Sequence, residues 1–365
     1  MSFVARTLLD TPPFPADRYA GLADRLRRLL ATRNDLLFVQ AEAILALEAA
    51  AVSLARPGLV ALNIVTSPYG AFFGQWLQRG GATMHELRAR DGQPITVAAV
   101  EQALAALPSV DLIAVVHAET SSGILNPLPG IAALAKARGA LLVVDAVASV
   151  GGHPLDIDQL GIDVCIAGPQ KALGGPAGIS MLTVSTGAWA AIDRVADFAP
   201  SSLSLRALRT NWIETGRGAL PGMPSAIEFW ALEAALDQLE AEGLEQRVAR
   251  HAHAARATRT ALVDMGVEPF VSDGTAASHL ATAAQVPDGV DADALIATAG
   301  RLGVTLTHGF GDVRGRLVRL DHTGVRANFA PVLANVIAYG SALARLGVDV
   351  DLGAAGQAIV DAYPI

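Results

Sequence analysis

The sequence predicts an α/β protein with two domains: a large domain whose mostly parallel sheet is sandwiched by helices, and a smaller α+β domain at the C-terminal end. The chain has 365 residues, whereas one domain usually takes about 150. Short apolar segments alternate with amphipathic ones from about residue 35 to 190, and long helical patterns follow residue 222. We place the large domain at 1–235, including a short N-terminal segment, and the small domain at 236–365.

The large domain contains six candidate strands, which are short apolar runs bounded by turn residues. They cover 58–65, 82–89, 111–119, 140–147, 163–169 and 179–185. Helical patterns lie between them, for example at 71–81, 95–107 and 130–139. Strands this apolar, with helices between them, are typical of a parallel sheet that is covered on both faces. Ligands of such sheets bind at the carboxyl ends of the strands, which directs attention to Glu119, Thr120, Asp145 and the turn at 168–171.

The second half of the chain has a different pattern. Residues 224–266 form one long helical stretch that we expect to break near Gly243. Strands are predicted near 278–286 and 316–321, and a further helix over 329–346. These elements give the smaller α+β domain.

Composition excludes several function classes. A net charge of −8 argues against nucleic acid as a partner, because that affinity needs clustered cations. The apolar runs are shorter than the roughly 18 to 20 residues of a membrane span, so we expect no membrane partner and a cytoplasmic protein. The only cysteine, Cys165, cannot form an internal disulfide or a multi-thiolate metal site, and no metal site is predicted.

Lysine usage singles out one residue. Of the 27 basic residues only Lys136 and Lys171 are lysines, so arginine serves wherever positive charge alone is needed. Arginine cannot supply a primary amine that condenses with a carbonyl. Lys136 lies near the end of a predicted helix before Gly139, where a cation favours the helix dipole. Lys171 follows an apolar strand amid loop glycines and is the candidate for amine chemistry.

Asp145 is the second chemical candidate. It ends the apolar strand LLVVD, where a buried carboxylate needs a cation or a hydrogen-bond donor. Pyridoxal enzymes use such a carboxylate to keep the ring nitrogen protonated. Lys171 lies 26 residues downstream (171 − 145), so both residues emerge at neighbouring strand ends. A capping role for Asp145 remains the alternative.

Residues 117–185 resemble the core of the class V, fold-type I pyridoxal-dependent aminotransferases. The resemblance rests on Asp145 followed by Ser-Val-Gly-Gly at 149–152 and Gly-Pro-Gln-Lys at 168–171. It is nearest to the alanine–glyoxylate and serine–pyruvate branch. It implies that Lys171 is the Schiff-base lysine and that Asp145 faces the ring nitrogen. It also implies a homodimer or homotetramer, because active sites of this family form at a subunit interface.

The same resemblance assigns the remaining site residues. Val147 and Tyr69 would cover the two faces of the ring, and Thr120 would lie near its hydroxyl. Gln170 belongs to the cofactor-binding set and disfavours the cysteine desulfurases, which carry a histidine there. Arg319 would bind the substrate carboxylate through its guanidinium fork.

One loop departs from the usual family pattern. Most members bind the cofactor phosphate with a Ser/Gly/His cup at a helix N-terminus, whereas residues 40–44 offer no hydroxyl and place Glu42 there. A second phosphate contact, a threonine from the partner subunit, aligns with Met223. The subgroup that resembles this pattern transfers the amino group of unphosphorylated pyridoxamine to pyruvate, with a glutamate matching Glu42.

We therefore expect a transaminase that binds unphosphorylated pyridoxal or pyridoxamine, a vitamin B6 compound, at Lys171, together with a small amino or 2-oxo acid. An ordinary alanine–glyoxylate or serine–pyruvate aminotransferase with pyridoxal 5'-phosphate is the alternative. A second arginine of the pyridoxamine subgroup aligns with Phe310, which leaves the 2-oxo acid open. A nicotinamide dehydrogenase is disfavoured because no GxGxxG turn follows the first strand.

Overall fold

A seven-stranded sheet forms the centre of the larger part of the molecule. The computed structural model describes residues 10–89, 93–195 and 201–363. The spatial order of the strands is β1-β7-β6-β5-β4-β2-β3, and β7 alone runs against the others. The strands are β1 (Asp35–Val39), β2 (Val60–Val65), β3 (Thr83–Arg88), β4 (Leu112–Val116), β5 (Leu141–Asp145), β6 (Val164–Ala167) and β7 (Ser180–Val184).

Helices cover both faces of this sheet. Every residue of β4, β6 and β7 is buried, as expected for strands with helices on either side. Cys165 lies in this core within β6 and is fully buried. The helices are α1 (Arg18–Leu29), α2 (Ala43–Leu54), α3 (Pro68–Arg79), α4 (Val97–Ala105), α5 (Leu128–Arg138), α6 (Ile157–Leu160), α7 (Thr186–Ile192), α8 (Leu205–Leu208) and α9 (Ala226–Glu242).

The C-terminal part has its own sheet and core. Its three antiparallel strands lie in the order β8-β10-β9, and side chains such as Leu262, Val318 and Val336 form a second buried cluster. The elements are α10 (Leu244–Asp264), β8 (Ala281–Gln285), α11 (Ala292–Gly300), β9 (Thr307–His308), β10 (Leu317–Asp321), α12 (Phe329–Arg345) and α13 (Leu352–Ala362).

The break predicted near Gly243 is confirmed. Helix α9 ends there and α10 begins at the next residue, with Gly243 at φ +86°, a conformation that favours glycine. The helix before Gly139 likewise ends in a left-handed turn at φ +64°, with Lys136 exposed in its last turn. The division at residues 235 and 236 lies within α9 and stays a prediction.

Buried histidines connect the two parts of the molecule. His153, from the loop after β5, stacks on His279 with ring centroids 4.0 Å apart. The backbone N–H of His279 donates to Nε2 of His153 at 3.0 Å, and Nδ1 of His322 donates to the carbonyl of His279 at 3.0 Å. The first bond requires a neutral ring, since a protonated Nε2 of His153 could not accept. Packing between the two parts therefore depends on an uncharged His153.

Candidate active site

Three neighbouring parallel strands end at one edge of the large sheet and deliver the candidate residues. Glu119 and Thr120 follow β4, Asp145 ends β5, and Lys171 follows β6. They line a chamber of about 130 Å³. The structure thus brings Lys171, Asp145 and Thr120 together, as the strand pattern predicts. Of the other predicted residues, Glu42, Tyr69, Val147 and Gln170 line the same chamber.

Lys171 is held with its amine inside the protein. Burial lowers the pKa of Lys171, and the nearby positive charge of Arg319 acts in the same direction. Its Nζ lies 3.3 Å from Oγ1 of Thr120, to which it donates a hydrogen bond. A depressed pKa increases the fraction of neutral amine, the form that attacks a carbonyl and accepts a proton.

Asp145 is a buried carboxyl group with one hydrogen-bond donor beside it. The backbone N–H of Val147 donates to its Oδ1 at 3.0 Å. Burial raises the pKa of Asp145 to about 6, while the Val147 N–H and the charge of Lys171 oppose that rise. A protonated ring nitrogen beside this group would stabilise its charged form, because opposite charges at close range favour ionisation. The observed bond to Val147 is that of a turn cap, and the same carboxyl group lines the chamber, where it can face a cation.

Glu42 occupies the N-terminus of α2. Its Oε2 accepts the backbone N–H of Ile44 at 2.8 Å, so the side chain caps its own helix. Its Oε1 accepts a hydrogen bond from Nε2 of Gln170 at 2.8 Å. The two contacts fix a carboxylate where the helix dipole attracts an anion, and a phosphate placed there would meet a like charge.

Met223, the position aligned with the second phosphate contact, is 95% exposed. The loop that carries it lies beside the 40–44 loop, because Nε2 of Gln40 donates to the carbonyl of Pro221 at 2.9 Å. A thioether offers an anion no hydrogen-bond donor. Neither Met223 nor the 40–44 side chains therefore supplies a hydroxyl for a phosphate.

Apolar and aromatic side chains form the remaining walls. Tyr69 stands in the first turn of α3, and Val147 is half-buried two residues after Asp145. The ring of Tyr69 lies 5.7 Å from that of Phe310, centroid to centroid, with 36° between the planes. A flat aromatic ligand can pack against such surfaces, so this part of the chamber fits a pyridine ring.

Arg319 faces the cleft between the two sheets. It alternates along β10 with the buried residues Val318 and Leu320. Its Nη1 donates to the carbonyl of Thr120 at 3.0 Å, while its Nε is buried and has no hydrogen-bond partner within the described ranges. A larger cavity of about 610 Å³ holds Arg319 and shares Thr120, Gln170 and Lys171 with the ring chamber. A carboxylate in this cavity can reach both the guanidinium and the amine.

Glu119 also lines the chamber, whereas the sequence pattern indicates only its place at a strand end. It is 1% exposed. Burial raises the pKa of Glu119 to about 7, and the charge of Asp145 acts in the same direction. The Oγ1 hydroxyl of Thr66 donates to its Oε1 at 2.8 Å, across 53 residues of sequence. That contact is tertiary, so no local pattern reveals it.

The described residues contain no group of three or more His, Cys, Asp or Glu side chains placed to hold a metal ion. Nor is any helix in the same residues long and apolar enough to cross a membrane. What the chamber provides is an amine, a carboxylate at a strand end, and walls that fit a flat heteroaromatic aldehyde or amine.

Comparison with known proteins agrees with this geometry. The class V aminotransferase family model matches residues 17–325. The pyridoxamine–pyruvate transaminase of Mesorhizobium japonicum is 35% identical, covering 98% of this chain and 92% of that protein. A crystal structure of pyridoxamine–pyruvate aminotransferase from Mesorhizobium loti superposes with a TM-score of 0.91 at 33% identity, covering 99% of this chain and 94% of the other. Alanine–glyoxylate aminotransferase of Callithrix jacchus is 32% identical over 84% of this chain and 75% of its own length.

Proposed function

This chain belongs to the class V aminotransferase family, and on that premise we propose that it moves an amino group between unphosphorylated pyridoxamine and a small 2-oxo acid such as pyruvate, using Lys171. The observation that carries the choice of ligand is the carboxylate of Glu42 at the N-terminus of α2. Its bonds to the Ile44 N–H and to Gln170 hold it there. A carboxylate in this place can accept a hydrogen bond from a free hydroxymethyl group, whereas it repels a phosphate.

Each proposed role follows from the chemistry of the side chain. When bound, the pyridine ring supplies the electron sink that makes the transfer feasible. Lys171 supplies a neutral amine that condenses with the aldehyde and carries a proton between the two reacting carbons. Asp145 keeps the ring nitrogen protonated. Thr120 offers its hydroxyl to the ring oxygen and orients the amine of Lys171.

Tyr69 and Val147 complete the proposed ring site as its two packing surfaces. Arg319 binds the carboxylate of the 2-oxo acid. The aromatic ring of Phe310, beside Tyr69, stands where the related subgroup has a second arginine. Recognition of the acid therefore rests on a single guanidinium, which suits a monocarboxylate rather than a dicarboxylate.

The assembly and location of the protein are parts of the same proposal. We propose a homodimer or homotetramer in the cytoplasm, with the small domain over 236–365. Apolar side chains exposed on α2 and in the loop beside it support a subunit contact at that face, because such groups gain from burial. They are Leu45, Val52 and Met223.

Competition between the two vitamin forms tests the proposal. The protein is incubated with equal amounts of pyridoxal and pyridoxal 5'-phosphate, reduced with borohydride, and mapped by mass spectrometry. We expect a pyridoxyl group on Lys171. A phosphopyridoxyl group there would overturn the proposal and return the protein to the phosphate-dependent alanine–glyoxylate or serine–pyruvate enzymes.

Substitution of Glu42 tests the residue that carries the argument. We expect Glu42→Gln to raise the share of the phosphorylated adduct, because the amide no longer repels the dianion. Glu48→Gln, which removes a carboxylate from the same helix outside the chamber, is the matched control and should leave the ratio unchanged. Equal ratios in both variants would remove Glu42 from the selection.

A further inference from the structure

Glu119 is a fully buried carboxyl group for which the proposed reaction has no stated use. Its Oε1 accepts the Thr66 hydroxyl proton at 2.8 Å. The Thr66 oxygen in turn accepts from Nδ2 of Asn126 at 2.9 Å, and the same amide donates to the carbonyl of Val116 at 2.7 Å. The direction of each bond is thereby set: the hydroxyl of Thr66 has one proton, and it points at Glu119.

Asp145 is a second buried carboxyl group in the chamber that Glu119 lines. The ionisable groups on its walls are Glu42 at the start of α2, Tyr69 at the start of α3, Asp145 at the end of β5 and Lys171 after β6. Two buried carboxyl groups that share a small chamber seldom both ionise, because each charge raises the cost of the other. We therefore expect one of these two groups, Glu119 or Asp145, to carry a proton.

The surroundings decide which of the two holds the proton. Asp145 receives the backbone N–H of Val147 and is the group that a ring cation would face. Glu119 lies deeper, at 1% exposure, with two neutral hydroxyl groups beside it, those of Thr66 and Ser67. Burial raises the pKa of Glu119 to about 7, against about 6 for Asp145, in agreement with that order.

We propose that Glu119 is a positioning residue that carries a proton in the working enzyme, so that Asp145 is the only charged carboxylate at the ring nitrogen and Lys171 stays a neutral amine. A negative charge on Glu119, added to those of Glu42 and Asp145, would favour the ammonium form of Lys171 and oppose its condensation with an aldehyde. The role in transfer rests on the proposed function, whereas the proton on Glu119 does not.

Infrared spectroscopy of the protein without ligand tests the proton directly. We expect a carbonyl band of a protonated carboxyl group that disappears as the pH rises through about 7. The component with this midpoint should be absent in Glu119→Gln and present in Glu48→Gln, the matched control, whereas any band of Asp145 disappears at a lower pH, near 6. Absence of a component with a midpoint near pH 7 in the unsubstituted protein, or its persistence in Glu119→Gln, would overturn the proposal.

Two further variants give opposite shifts of the midpoint of that band. Asp145→Asn removes the neighbouring charge and should lower it. Thr66→Val removes the hydroxyl donor that favours the ionised form and should raise it by about one pH unit. Both shifts are independent of whether any variant turns over substrate, and a midpoint that stays unchanged in both would overturn the assignment.

The rate at which Lys171 condenses with an aldehyde tests the role. Above pH 7, Glu119→Gln should react faster than the unsubstituted protein by roughly three- to tenfold, because loss of the negative charge on Glu119 lowers the pKa of Lys171. At pH 6, where Glu119 is protonated, the two proteins should react at the same rate. The same ratio is expected with pyridoxal or pyridoxal 5'-phosphate, so an error in the proposed vitamin form would leave it intact. Identical pH profiles for the two proteins would overturn the role.

Discussion

Arg319→Lys is expected to weaken binding of the 2-oxo acid while leaving the ring chamber intact. The guanidinium holds the carbonyl of Thr120 through Nη1 at 3.0 Å and keeps a buried Nε with no partner in the described part of the chain. The guanidinium has five N–H donors, so those that Thr120 does not use can bind a carboxylate while Arg319 stays fixed to Thr120. A lysine ammonium lacks the planar fork and cannot make both sets of contacts at once.

The size of the effect follows from the hydrogen bonds lost. One hydrogen bond between charged groups contributes about 1.5 to 3 kcal/mol. Since about 1.4 kcal/mol corresponds to a factor of ten, kcat/KM for the 2-oxo acid should fall roughly 10- to 150-fold. The loss should fall mainly on KM, because the arginine grips the carboxylate before and during transfer.

Steady-state kinetics with pyridoxamine fixed and pyruvate varied measure this loss, and a titration with pyridoxal measures the ring site separately. Arg326→Lys is the matched control, since Arg326 lines the same cavity but is ion-paired with Asp321. It should stay within about threefold of the unsubstituted protein, as expected for an exposed pair. If Arg319→Lys also stayed within threefold, or lost pyridoxal binding as strongly as pyruvate binding, the assignment of the carboxylate site would be refuted.

Three other predictions follow from the same structure. Lys171→Ala should abolish both turnover and the borohydride-trapped adduct, while Lys136→Ala, which removes the exposed second lysine, should retain both. An adduct on Lys136 in the unsubstituted protein or in Lys171→Ala would contradict the scheme. Asp145→Ala should lower the rate of transfer by orders of magnitude, and an unchanged rate would remove its role at the ring nitrogen. The free energy of unfolding should decrease as the pH is lowered from about 6.5 to 4. Burial lowers the pKa of three histidines to about 4, so in this range the unfolded chain binds protons that the folded one does not. Thermal unfolding across that range measures the effect, and a flat midpoint would contradict it. The three are His117, His251 and His322.

Much of the fold could be predicted because burial on both faces leaves a strong local signal. Strands β4 and β5 are almost wholly apolar and lie within the predicted segments 111–119 and 140–147, although each strand has only five residues. Strand β1 was not predicted. It is a five-residue segment that pairs with β7, which is about 145 residues away, so its partner is invisible in the neighbouring sequence.

The chemical residues divide in the same way. Lys171 could be found because lysine is rare in this chain, and Asp145 because a carboxylate at the end of an apolar strand needs a reason. The bond between Glu42 and Gln170 spans 128 residues and the one between Thr66 and Glu119 spans 53. Such pairs form only when the folded strands bring distant loops together. A residue pattern can therefore identify each residue as a candidate, but it does not reveal that the two are in contact.

The bond between Glu42 and Gln170 also limits how this protein could evolve. Oε1 of Gln170 is already buried without a partner within the described residues, and Nε2 is satisfied by Glu42. A substitution at Glu42 that removes the acceptor would leave Nε2 of Gln170, next to Lys171, with only solvent as its partner, since this contact is exposed. A change at Gln170 alone would release the carboxylate but keep its charge. We therefore expect the two positions to be epistatic, so that the effect of a change at Glu42 depends on the residue at position 170.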